Sequence, residues 1–241
     1  VQMGRTQAIG WLFLLCVLAM FFIARTQKIE LVEIRTQDQH LEICVTFPLF
    51  KNLPDAEFEQ ALNTWIEGFV RSVVNKAREE AIYNAKFFQN AQFELRISTE
   101  VHELSKSVVS IALHVYKFTG GAHGTNDLKT FTVDLSSARL LTMSDLFNLS
   151  QEELENKLRS LILERISKNK ADFFPWVEEY VETDEILARP FVATERGVKI
   201  FYQEGEIAPR SNGITHFEFS WDELEMSRQN VNGGSAKFGG E

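Results

Sequence analysis

The stretch VVSIALHVYKFTGGAHGTNDLKTFTVDLSS, residues 108–137, decides the fold. Val109, Ile111, Leu113 and Val115 fall on one side of its first segment, and Ser110, Ala112, His114 and Tyr116 on the other. Side chains along a strand point to alternate faces, so this is a strand with one apolar face. Phe131, Val133 and Leu135 repeat the pattern against Thr130, Thr132 and Asp134. Between the two, TGGAHGTND (119–127) reads as a connector, and His123 sits in it between glycines.

Working upstream, Phe93, Leu95, Ile97, Thr99 and Val101 alternate in the same way, and ELSK (103–106) is a short connector. Earlier still, Leu41, Ile43, Val45 and Phe47 alternate with Glu42, Cys44 and Thr46; residues 29–47 read as one or two strands, ended by Pro48 and NLPD. From Ala56 the period changes. Phe58, Leu62, Trp65, Phe69 and Val73, with Ile66 and Val70 beside them, recur every three or four residues. That spacing predicts an amphipathic helix of about seven turns, capped by Asp55, with this stripe facing a core. Strands with one apolar face beside such a helix predict an antiparallel meander packed against it.

Downstream, Leu154, Leu158, Leu161, Ile162 and Ile166 share one helical face, and Ser150 with Glu153 reads as a capping box. The acidic run VEEYVETDEI (177–186) follows, then short strands in RPFVAT, VKIFY and ITHFEFSW. Past Ser227 the chain is glycine-rich without periodicity and reads as a flexible tail. Strands and helices come in blocks rather than in βαβα alternation, which predicts an α+β body. The expected division is a short cytoplasmic tail (1–7), a transmembrane anchor (8–24), an α+β module with an antiparallel sheet and a long packed helix (28–135), a second, smaller α+β module (136–227) and the tail (228–241).

The anchor rests on residues 6–24, 19 residues without a charge. At about 1.5 Å per residue such a helix crosses a hydrocarbon core of about 30 Å, and it satisfies its own backbone hydrogen bonds. Phe21-Phe22-Ile23-Ala24 offers no small-residue cleavage pattern, so the anchor is expected to stay. The short tail before it predicts a cytoplasmic start and an extracytoplasmic body. Beyond residue 25 there are 23 basic and 34 acidic residues, a balance of −11, which argues against nucleic acid and would suit a cationic partner. Cys16 lies in the anchor, leaving Cys44 alone, so neither a disulfide framework nor a cysteine metal site is available to the body.

The run YKFTGGAHGTNDLKTFTVDLSSARLLTMSDLF (116–147) resembles the extracytoplasmic module pair of RsiV-like lysozyme-sensing anti-sigma factors and of the non-catalytic part of PdaC-like peptidoglycan deacetylases. The residues that carry the likeness are Gly120, Gly121, Ala122, His123 and Gly124, then Asp134 and Leu135, then Leu141, Thr142, Asp145, Leu146 and Phe147. A strand ending in Pro48, followed by a long helix with Asn63, is similar to the start of the first module. The stretch ERGVKIFYQEGEIAPRSNGITHFEFSWDEL (195–224) is similar to the pair's closing pattern. Arg210 stands where the family often has tyrosine, and Gly205 where an aromatic is common. The resemblance covers residues 40–227 and implies a binding or sensing body outside the membrane, whose partner is a cell-wall glycan or a lysozyme-like protein. An anti-sigma factor needs a cytoplasmic domain, and VQMGRTQ alone precedes the anchor here, so a truncated regulator is a further alternative.

His123 admits three readings: a general base, a zinc ligand, or a turn residue hydrogen-bonded across its loop. Zinc needs three or four ligands, and His40, His102, His114, His123 and His216 show no ligand spacing. A base needs an orienting partner, which Asp127 or Asp134 supplies only if the loop folds back. The expectation is therefore a protein without catalysis, metal or cofactor, with Gly120, Gly121, His123, Gly124, Arg210, Glu178, Glu179 and Glu182 as candidate binding residues. The alternative is a wall-modifying hydrolase that uses His123 and nearby carboxylates.

Overall fold

The computed structural model describes residues 28–38, 40–88 and 91–224. The anchor, the tail before it and the segment past Ser227 lie outside the described residues. No helix among the described residues is long and apolar enough to cross a membrane.

Six strands lie side by side in chain order: β1 (Lys28–Gln37), β2 (Leu41–Lys51), β3 (Phe93–Glu103), β4 (Val108–Phe118), β5 (Thr125–Asp134) and β6 (Arg139–Leu141). Every neighbouring pair is antiparallel except β2 and β3. The long helix α1 (Ala56–Asn84) explains the exception. Its 29 residues rise about 43 Å, enough to carry the chain back along the whole sheet. Phe93 thus starts beside Leu41, and β3 runs parallel to β2. The expected meander holds for β3 to β5, while β2 and β3 are joined by a helical crossover.

α1 begins where Asp55 accepts hydrogen bonds from the backbone of Glu57 and Phe58. It buries Leu62, Ile66, Val70, Ala77 and Ala81 against the inner face of the sheet, where Ile43, Val45, Leu95, Ile97, Ile111 and Val133 meet them. Trp65, expected within that face, is 41% exposed and meets Phe131 edge-on at 5.3 Å. β2 also continues through Pro48 to Lys51. β3 pairs with β2 only over Leu41–Val45; the Thr99 hydroxyl still donates to the Thr46 carbonyl at 2.7 Å, and beyond it that edge of β2 has no ladder partner. Proline removes no ladder bond on an open edge. Asn63 of α1 covers part of that edge. Its side chain accepts from the Phe50 N–H at 2.9 Å and donates to the Phe50 carbonyl at 2.9 Å.

The second sheet is antiparallel: β7 (Phe191–Ala193), β8 (Gly197–Tyr202) and β9 (Thr215–Ser220). Helix α2 (Gln151–Lys168) starts at the expected capping box of Ser150 and Glu153. Its buried face of Leu154, Leu158, Ile162 and Ile166 packs with the short helix α3 (Val177–Glu182) over Val198, Ile200 and Phe219.

The two sheets also touch each other. Ala112 and Leu128 of the first meet Val192 and Phe201 of the second. Ser110 and Thr132 are buried there and share a hydrogen bond of 2.7 Å. Ser110 Oγ accepts from the Ala193 N–H at 2.9 Å, and Thr130 Oγ1 accepts from the Phe191 N–H at 2.9 Å. β4 is therefore buried on both faces at its start, where alternation predicted one. Ser110 of β4 and Thr130 of β5 thus satisfy the backbone of β7 on the edge where no strand pairs with it.

Candidate functional site

The glycine loop is shorter than its sequence suggests. β4 ends at Phe118 and β5 starts at Thr125, so Asn126 and Asp127 are strand residues. Gly120 and Gly121 make the turn with φ of +114° and +96°, a region that L side chains rarely adopt. Gly124 is required for a different reason: a Cβ there would stand 2.4 Å from Cε2 of Tyr116. The loop is fastened to the end of α1. Glu80 accepts hydrogen bonds from Lys117 at 2.8 Å and Thr119 at 2.9 Å, and Asn84 donates to the Thr119 carbonyl.

His123 takes no part in this fastening. It is exposed and makes no hydrogen bond among the described residues. The cross-loop bond expected of it is absent there, and positive φ at the two glycines shapes the bend instead. Asp134 lies at the far end of β5, nine residues from Thr125, or about 30 Å at strand rise. Its carboxylate accepts hydrogen bonds from Ser136 and Ser137. Burial alone would raise the Asp134 pKa, but these bonds together hold it below the usual range. Asp145 likewise caps its own turn, accepting from the Thr142 N–H at 2.7 Å and hydroxyl at 2.6 Å. The Asp134 and Thr142–Asp145 signatures are thus turn-forming devices.

The other histidines are dispersed. His102 and His114 flank Glu100 on the first sheet, His40 lies near the start of β2, and His216 packs against Phe201. No group of three or more histidine, cysteine or acidic side chains suited to a metal ion occurs among the described residues.

The closing pattern reaches the same end of the molecule as the glycine loop. Gln203 pairs with the free edge of β5, accepting from the Leu128 N–H and donating to its carbonyl, both at 3.0 Å. Glu204 accepts from the Asn126 N–H at 2.6 Å. Arg210 is exposed and lies against Gly205, whose positive φ of +76° suits glycine. Glu178, Glu179 and Glu182 are exposed on α3, with Glu178 paired to Lys170 at 2.7 Å.

Sequence reading missed the densest polar cluster. Arg189 holds Asp184 at 2.6 Å, and also bonds Glu206 and the Tyr180 hydroxyl. Tyr180 donates to Glu206 at 2.7 Å, Tyr202 donates to Asp184 at 3.0 Å, and the guanidinium lies 4.4 Å from the Tyr202 ring centre. Burial would lower the Arg189 pKa, but its bonds to Asp184, Glu206 and Tyr180 raise it further. Burial would raise Glu206, but bonds from Tyr180, Arg189 and the Gln203 backbone lower it. Tyr202 is pushed up by burial and then by Asp184. Both carboxylates share the one cation and each also accepts from a phenol, so the cluster acts as a tie between α3, β8 and the 203–206 turn. The sequence signal for it was Asp184 inside the acidic run, followed by an arginine five residues later.

Also missed was the far end of α1 with the turn that follows it. Ile82, Tyr83, Phe87 and Phe88 are exposed by 63%, 60%, 66% and 45%. Phe88 borders the glycine loop: a Cβ on Gly120 would stand 3.2 Å from its ring. On the other side, Asp38, His40, Leu41, Arg78, Ala81 and Ile82 line a cleft of about 210 Å³.

Comparison with known proteins finds two family models along the chain. Residues 34–126 match the family model described as Deacetylase PdaC, and residues 144–222 the one described as Protein of unknown function (DUF3298). Among curated proteins, the peptidoglycan-N-acetylmuramic acid deacetylase PdaC of Bacillus subtilis is 27% identical over 144 residues, 59% of this chain. That match spans only 29% of the deacetylase. A crystal structure of a DUF3298 family member from Bacteroides fragilis superposes with a TM-score of 0.59 at 16% identity, covering 86% of this chain and 96% of its own. One from Pseudomonas aeruginosa gives 0.52 at 21%, covering 87% and 97%. These two likenesses concern the fold alone. The first part of the chain is thus similar to the PdaC deacetylase model and the second to the DUF3298 model.

Proposed function

We propose that this protein is a membrane-anchored, extracytoplasmic module that docks on cell-wall glycan and performs no chemistry itself. One observation carries the reading: the PdaC-type region ends in an exposed glycine loop whose histidine stands without an orienting carboxylate among the described residues. General acid–base work needs a group held within hydrogen-bond reach of the proton it moves, and commonly a second group that orients the first. The loop is instead a stiff surface, braced by Glu80 and Asn84. The name of the Bacillus subtilis relative supplies the ligand class, peptidoglycan.

The test uses the full chain in detergent micelles. It should sediment with purified peptidoglycan sacculi and release no acetate from them. Failure to sediment removes the reading. Acetate release that disappears in His123→Ala establishes the wall-modifying enzyme instead. Retention by lysozyme but not by sacculi identifies the protein partner that the acidic surface would suit.

A further inference from the structure

The exposed end of α1 gathers several large rings at the described surface, apart from the second group of rings around Trp176, which stacks on Phe174 and meets Tyr180. Tyr83 and Phe87 lie 5.4 Å apart between ring centres, and Phe88 continues the patch to the glycine loop. Exposed apolar clusters of this kind mark interaction sites. Beside the rings, the cleft of about 210 Å³ has an apolar floor of Leu41 and Ala81. Its rim carries Asp38 and Arg78, paired at 2.6 Å, so that one acceptor and one donor face the same opening.

The register of the sheet says where this end points. Lys28 pairs with Lys51 at one end of the first sheet, while Gln37, Leu41, Phe93 and Phe118 meet at the other. α1 ends at the second of these, about 43 Å along its axis from its start near Lys51. The chain arriving from residues 1–27 therefore enters at the end opposite to the rings.

We propose that the end of α1 is the sugar-binding face of this protein: Tyr83 and Phe87 stack on the rings of an N-acetylated glycan, and the Asp38–Arg78 cleft takes the neighbouring sugar. The inference rests on the wall-binding reading and names its site. One face of a pyranose carries mostly C–H bonds, whose slight positive charge meets the negative face of an aromatic ring. Sugar hydroxyl and amide groups both donate and accept, which matches the paired carboxylate and guanidinium at the cleft. A pocket with an apolar floor and a few placed polar groups is the usual form of a small-ligand site.

The experiment measures binding of the full chain in micelles to sacculi and to a soluble hexamer of N-acetylglucosamine. Tyr83→Ala combined with Phe87→Ala should weaken both by roughly ten- to a hundredfold, as expected for losing buried aromatic area. Trp176→Ala, at an exposed ring elsewhere, should bind as the parent does. Both replaced rings are exposed, so the thermal melting curve should be unchanged, and it serves as the folding check. Stacking should also persist in 0.5 M salt, where attraction between surface charges is screened. If the parent binds sacculi and the double variant binds equally, the site is wrong while the wall-binding reading stands. If the parent binds neither probe, both fall. Ring-dependent binding to phospholipid vesicles, or ring-dependent self-association, in place of glycan binding also overturns the proposal.

Discussion

The Arg189 cluster and the glycine loop answer opposite physical demands. Around Arg189, two carboxylates and two phenols surround one guanidinium, and side-chain exposure falls to 13% for Arg189 and 7% for Asp184. Burying charge is unfavourable unless each group is matched, so the cluster is closed on itself. The glycine loop has a polar histidine in the open and is held by main-chain geometry and by residues outside it. The comparison shows that a dense set of charges in this protein marks an internal tie. The glycine loop and the exposed rings beside it owe their shape to backbone geometry rather than to charge.

Removing the arginine is the most severe way to break that contrast. Arg189→Ala should destabilise the fold by about 3–5 kcal/mol, since it leaves Asp184 and Glu206 buried without their cation. A urea titration followed by circular dichroism reads this as a lower midpoint.

Acid sharpens the contrast next. Glu206 has a folded pKa below its unfolded value, so it contributes stability that is complete above the ordinary carboxylate range near 4.5 and is lost as pH falls through the lower folded value. The urea midpoint of the parent should therefore fall between about pH 5 and 3. Arg189→Ala should show a shallower fall, because one cause of the lowering is gone.

A smaller effect is expected where the second module closes the edge of the first. Gln203→Ala leaves the Leu128 N–H and carbonyl without their side-chain partner and should cost about 1–2 kcal/mol in the same titration. Smallest of all, His123→Ala should change stability by less than about 0.5 kcal/mol, as an exposed side chain without bonds does. A larger loss would mean that the imidazole braces its loop after all.

Much of the architecture was legible because periodicity reports burial. The α1 face, the α2 face with its capping box, and the alternation of β3 to β5 follow directly from where apolar residues recur. Misreadings arose where a second layer changed the rule. β4 alternates as a half-covered strand, yet Ser110 and Ala112 are also buried because the second sheet lies on them. Pro48 ends a strand when every edge is assumed paired, but here one edge is open. Trp65 fits the stripe by spacing and leaves it because the face of α1 that meets the sheet is narrower than the stripe.

Site residues divide along the same line. Gly120, Gly121 and Gly124 could be singled out from composition, since few other residues tolerate positive φ or so close an approach to a ring. Pairings between residues far apart in the chain, such as Arg189 with Glu206 or Glu80 with Lys117, leave no local pattern.

What local chemistry decided was the set of elements, their covered faces and their caps, because backbone hydrogen bonding and side-chain direction repeat with short periods. What only the assembled fold decided was the parallel placement of β3, the burial of β4 on both sides and the gathering of rings beside the glycine loop. These depend on which surfaces meet after the chain has turned back through a helix of about 43 Å, and a distance of that kind is not recorded in any neighbouring residues.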